Sequence, residues 1–152
     1  MSAAAATEAV QAGLVDGMES ASRSGATIIA RQILCLMRHL DVPEDVVDLA
    51  VNHAPGVVGV DIAGPEDGFP LTPFTNALTR IQAAGIHLTV HAGEAAGPES
   101  VLDALNHGAE RLGHGVRIIE DRDESEWGPI AQRVLSNQVP LEVCPTSNTQ
   151  TG

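Results

Sequence analysis

The stretch His87-Leu88-Thr89-Val90-His91-Ala92-Gly93-Glu94 decides how this chain is read. It has the look of a short apolar strand ending in a histidine, a glycine and a glutamate. A buried strand carries His91 to its C-terminal end. Ala92 and Gly93 are small enough for another backbone or a ligand to come close. Glu94 then stands beside whatever His91 holds. A neutral imidazole next to a carboxylate suits a metal with a proton shuttle at its side. The same letters also fit a strand end with two solvated polar residues, because short patterns recur by chance. The other strand ends decide between the two.

Working outward, the chain alternates helix and strand. Thr7 to Ser22 reads as a helix with Val10, Leu14, Val15 and Met18 on one face and Gly25 as its stop. Thr27 to Met37 reads as a strand apolar enough to be buried on both faces, followed by Arg38 and His39. Asp41 with Glu44 makes a capping box, with Pro43 in the first turn, for a helix to about His53. Val57 to Ile62 is the next strand, leading into Ala63-Gly64-Pro65-Glu66. Thr72 caps a helix with Pro73 at its first position, ending at Gly85. After the opening strand, Pro98 starts a helix that Gly108 ends, and Glu110 to His114 forms another strand. An acidic link from Glu120 to Glu126 precedes a helix near Pro129 to Asn137. Val139 to Val143 is the last strand, running into Cys144-Pro145-Thr146-Ser147-Asn148.

Strand and helix in regular alternation is the rhythm of βα units around a parallel sheet. Each unusual polar residue lies at or just past a strand: Arg38 and His39, Asp61 with Gly64, His91 with Glu94, His114, and Ser147 with Asn148. Titratable residues at the C-terminal ends of successive strands describe a (β/α)₈ barrel site. A doubly wound sheet places its site at one switch point instead. The expected fold is therefore α/β, a partial (β/α)₈ barrel of about five of the eight parallel βα units. It is expected as a single incomplete domain over residues 1–152.

Composition narrows the function. The chain has 152 residues, 43% hydrophobic, so it can build a core. Phe69, Phe74 and Trp127 are its aromatic residues, so that core must be aliphatic. A net charge of −12 disfavours nucleic-acid backbone and anionic membrane as partners. Cys35 and Cys144 form no C-x-x-C pair and read as buried small hydrophobes in strands. The first residues carry no basic region followed by an apolar run, and no stretch is long and apolar enough to span a bilayer. A reducing, cytoplasmic setting is the expectation.

Five stretches together resemble adenosine deaminases, the bacterial ones in particular. They are Arg31 to His39, Val60-Asp61-Ile62-Ala63-Gly64, Thr89 to Ser100, Arg111-Leu112-Gly113-His114-Gly115 and Ser147 to Gly152, in the family's order. The resemblance implies a zinc-dependent hydrolytic deamination of adenosine and deoxyadenosine to inosine and ammonia. It implies His91 as a zinc ligand, Glu94 as the carboxyl group that protonates the purine ring nitrogen, and His114 as the histidine that orients the attacking water. Gly64 matches a backbone donor to the purine, and Asp61 lies at a matching strand end beside that pocket. The implied partner is a small purine nucleoside. The chain's oligomeric state is left open.

The chain also departs from the family. The resemblance implies two further zinc ligands from a His-x-His and a fourth from an Asp-Asp pair, and neither sequence occurs here. Three of the four protein ligands are thus missing, and Pro65 stands where the family often carries an aspartate. The pattern is that of an internal piece of the family's barrel. Two alternatives stay open: a deaminase of another 6-aminopurine, such as adenine or aminodeoxyfutalosine, or a truncated piece with no catalysis of its own.

Overall fold

A computed structural model of the chain describes residues 1–41 and 44–151. Five parallel strands alternate with helices: α1 (Ala3–Arg23), β1 (Gln32–Met37), α2 (Glu44–Asn52), β2 (Val57–Ala63), α3 (Thr75–Ala83), β3 (His87–Ala92), α4 (Pro98–Asn106), β4 (Arg111–His114), α5 (Pro129–Ser136), β5 (Leu141–Glu142) and α6 (Pro145–Thr151). The sheet order is β1-β2-β3-β4-β5, every neighbouring pair parallel. This is an arc of a (β/α)₈ barrel, with β1 and β5 as its edges among the described residues.

The register explains the two faces. Leu34 pairs with Val60, Val60 with Leu88, and Val90 with Leu112. This aliphatic layer packs outward against the helices. Leu36, Val60, Ile62, Leu88, Val90 and Leu112 are buried with Phe74, Leu78 and Ile81 of the α3 region and Val101 and Ala104 of α4. Each fully buried Leu, Ile or Val contributes on the order of 1.5–3 kcal/mol. The residues between them, Cys35, Asp61, Thr89 and His91, form the opposite layer. That layer is the inner face of the arc.

Local chemistry sets the helix ends. α4 and α5 each begin with a glycine N-cap and a proline in the first turn. α1 ends at Arg23, and Gly25 follows at φ +80°. Gln32 ties α1 to the sheet, donating from its side chain to the Thr7 carbonyl at 3.2 Å and to Gln11 at 3.0 Å.

Several expectations need correction. The first strand starts at Gln32, not Thr27. Ile28 and Ile29 are exposed, 56% and 77%, because they precede the first pairing with β2. In α1 only Thr7 is buried, and Val10 and Val15 face solvent. Thr72 opens a 3₁₀ turn (Thr72–Phe74) ahead of α3 instead of capping it through its side chain. β5 covers two residues, and the segment after it coils into α6. Cys35 is exposed on the inner face of an edge strand, and Cys144 lies past β5, half-buried; both thiols are free. Pro43, expected in the first turn of the helix that the Asp41–Glu44 capping box would open, lies outside the described residues.

Candidate functional site at the C-terminal rim of the sheet

Three strands deliver polar side chains to one point. Asp61 comes from β2, His91 from β3, and His114 from the last residue of β4, where φ turns to +65°. Glu94 follows β3 by two residues, after the turn at Gly93, φ +69°. The His91 and His114 rings stand edge to face with centroids 5.0 Å apart. His91 Nε2 lies 3.3 Å from Asp61 Oδ2, and His114 Nε2 lies 3.4 Å from Glu94 Oε2. These four side chains lie close together at one rim. Gly64 stands at the same rim, one residue past β2, with φ +93°. A side chain there would meet His39 Nδ1 at 3.1 Å and Met37 Cε at 3.3 Å, so the position requires glycine.

Small residues make room for the imidazoles. A Cβ on Gly113 would lie 2.7 Å from His91 Cδ2, so the His91 ring rests directly on the β4 backbone. A Cβ on Gly93 would lie 2.9 Å from Val101 Cγ2, which seats the turn against α4.

Hydrogen bonding fixes the protons. Asn148 Nδ2 lies 3.0 Å from His114 Nδ1. An amide nitrogen donates, so Nδ1 accepts and the ring proton sits on Nε2, facing Glu94. His114 is 6% exposed. Asp61 raises the pKa of His91 above the usual histidine value by its hydrogen bond, against desolvation; the charges of Asp61, Glu94 and Glu142 add to the rise. Arg38 is pushed the other way, lowered by burial, with Glu66 and Asp103 opposing.

The donor set is one that a divalent cation accepts. His91, Glu94 and His114 each offer a ligand atom, all within 4.8 Å of one another. Asp61 Oδ1 is buried and has no hydrogen-bond partner among the described residues. Imidazole nitrogens with carboxylate oxygens are zinc's usual ligands outside thiolate sites.

Two residues at this rim escaped the reading of the sequence. Glu66 is 5% exposed and accepts from the backbone N–H groups of Gly93, Glu94 and Ala96. Arg117 donates its backbone N–H to the Gly93 carbonyl and its guanidinium to the Ala95 carbonyl. The signal for Glu66 was a carboxylate, followed by Asp67, in the Gly-Pro loop just past a strand end. Arg38, just past β1, is 5% exposed and donates to the His91 and Phe69 carbonyls.

The comparisons with known proteins converge on this architecture. The chain is 41% identical over 155 residues to an adenosine deaminase of Mycolicibacterium gilvum, a match covering 97% of this chain and 43% of the relative. It thus spans about two fifths of the length of the curated relatives it matches. Among solved structures, an adenine deaminase from Arthrobacter aurescens superposes with a TM-score of 0.73 at 28% identity, covering 91% of this chain and 41% of that one. An amidohydrolase from Burkholderia ambifaria with bound zinc gives 0.72 at 28% identity, over 91% and 37%. The adenosine deaminase family model matches residues 1–152, and with strand ends that carry His91, Glu94 and His114 to a common rim, this chain belongs to the adenosine deaminase family.

Proposed function

We propose that this chain forms the catalytic rim of a zinc-dependent deaminase that hydrolyses adenosine and deoxyadenosine to inosine and ammonia when the barrel is complete. The observation that carries the reading is the meeting of His91, Glu94, His114 and Asp61 at one point, from three strands and one turn of a family barrel.

Each residue has a task. His91 would hold the zinc, which when bound brings the pKa of a water toward neutrality. His114 presents Nε2–H toward the cavity, fixed in that tautomer by Asn148, and orients the attacking water. Glu94, half-buried at the same rim, delivers a proton to the ring nitrogen beside the carbon under attack. That carbon gains the hydroxyl, the amino group leaves as ammonia, and the purine keeps a carbonyl. Asp61 Oδ2 stands 3.3 Å from the His91 Nε2 and orients that ring. Gly64 offers its backbone N–H to the purine from a position where a side chain would clash. The substrate is a small purine nucleoside. Two free thiols fit a reducing, cytoplasmic setting.

The second reading concerns the 152 residues by themselves. One family zinc ligand cannot make a catalytic zinc site, which takes at least three protein ligands. The chain alone is then expected to hold zinc weakly and turn over nothing.

One experiment tests both. Residues 1–152 replace the matched segment of the Mycolicibacterium gilvum adenosine deaminase, and zinc content after dialysis is measured beside the loss of adenosine absorbance. Stoichiometric zinc with turnover in the hybrid, and neither in the isolated chain, is the expected result. A zinc-loaded hybrid inert toward adenosine overturns the substrate assignment, and turnover of adenine or another 6-aminopurine alone replaces it. Stoichiometric zinc with turnover in the isolated chain shows that other residues of this chain complete the site.

A further inference from the structure

We propose that Glu66 is a positioning residue for Glu94: its buried carboxylate fixes the turn that carries Glu94 and acts on the reaction only through it. The proposal rests on the deaminase reading above.

The turn from His91 to Ala96 is held group by group. On the N–H side, Glu66 Oε1 accepts from Glu94 at 2.8 Å, and Oε2 accepts from Gly93 at 2.9 Å and from Ala96 at 3.3 Å. On the carbonyl side, Arg38 Nη2 donates to His91 at 2.6 Å, the Arg117 backbone donates to Gly93 at 2.9 Å, and the Arg117 guanidinium donates to Ala95. Arg38 also donates to Phe69 at 3.0 Å, and Phe69 N–H closes onto the Glu66 carbonyl at 3.1 Å, so the loop that supplies Glu66 is itself pinned.

Packing gives no account of this arrangement. A carboxylate nine-tenths buried carries a desolvation cost that an apolar side chain would not. It is retained where backbone N–H groups converge into an anion-binding concavity and the bonds are charge-assisted. Here that concavity is the segment that aims Glu94. Among the described residues, every hydrogen bond of the Glu66 carboxylate is to this backbone, which makes it a positioning group and not a catalytic one.

Glu66→Gln keeps the volume and removes the function. One carboxylate oxygen becomes an NH₂ group facing backbone N–H, so donor meets donor on that side. A catalytic group displaced by about 1 Å loses about 10²-fold in rate. The test is a double-mutant cycle in the hybrid enzyme, with Glu66→Gln, Glu94→Gln and the pair. Expected is a fall in kcat of about 10²-fold for Glu66→Gln, with KM and zinc content within about threefold. In the Glu94→Gln background the same change should cost less than about threefold, because a residue acting only through Glu94 has nothing left to position.

Three results overturn the proposal: an equal loss in both backgrounds, a loss that tracks zinc content, or normal kcat in Glu66→Gln. Near-normal turnover in Glu94→Gln alone defeats the deaminase role of Glu94 and takes this inference with it. A deficient Glu94→Gln with equal Glu66 losses defeats this inference alone. Amide hydrogen exchange in the 152-residue chain gives a readout without catalysis. Glu66→Gln should speed exchange at Gly93, Glu94 and Ala96 by about tenfold or more while Leu88 and Val90 in β3 keep their rates. Unchanged exchange at those three amides overturns the proposal as well.

Discussion

The two faces of the sheet are built from the same strands and do opposite work. On the outer face, Leu36, Ile62, Val90 and Leu112 are at most 1% exposed and meet helices whose apolar stripes fit them. On the inner face stand Cys35, Asp61 and His91, one residue along β1, β2 and β3, and Glu142 of β5, polar or ionisable and none of them fully buried. A period of two separates a packing surface from a chemical one. The difference teaches where each kind of error is tolerated. The outer layer answers to volume, and the inner layer answers to the identity and aim of single atoms.

The largest effect expected on the inner side is at Glu94. In the hybrid enzyme Glu94→Gln should lower kcat by about 10² to 10⁴, the usual weight of one proton-transfer group, with the fold intact by circular dichroism. Near-normal turnover would remove Glu94 from the chemistry and leave the inner face without its acid. On the outer side, Leu36→Ala should destabilise the chain by about 2–5 kcal/mol in urea unfolding. Its neighbour Cys35→Ala should stay within about 0.5 kcal/mol, as exposed positions do. Equal costs at these adjacent residues would break the contrast between the faces.

Much of this contrast was legible in the sequence, for identifiable reasons. The βα rhythm shows because each strand's aliphatic run is bounded by glycine, proline or a helix cap. The site shows because its residues follow those runs directly, as His91 and Glu94 follow Val90. Glu66 does not show, because its partners are backbone N–H groups that carry no letter. Cys35 was misjudged because its neighbours Leu34 and Leu36 are aliphatic, and hydrophobicity alone cannot tell a strand's two faces apart on an edge. Ile28 and Ile29 extended the apparent strand by composition, whereas pairing begins only at Gln32.

A smaller effect joins two inner-face residues. Asp61 holds the His91 pKa above its ordinary value. A group raised in the folded state contributes stability that is fully present below its unfolded pKa, about 6.5, and that is lost as pH rises through the folded value. Asp61→Asn should therefore lower the His91 pKa in an NMR titration and flatten the stability profile across that window. An unmoved His91 titration would show that the 3.3 Å contact carries no charge coupling.

The smallest effect sits on the same face at Cys35. Partial burial raises its pKa, and the charge of Asp61, whose Oδ2 lies 4.0 Å from Sγ, raises it further. The thiolate is the reactive form, so Cys35 should react with a thiol reagent at neutral pH more slowly than its exposure alone implies. Asp61→Asn removes one of the two causes and should speed the reaction. Leu36→Ala, across the sheet, should not change it in the folded chain. Enclosing the inner face supplies the opposite control. In the hybrid enzyme the remaining strands of the barrel cover that face, and Cys35 should become protected in the folded protein while reacting freely in urea. A Cys35 that reacts equally fast in the isolated chain, in Asp61→Asn and in the hybrid would mean that the inner face feels neither the charge of Asp61 nor the closure of the barrel.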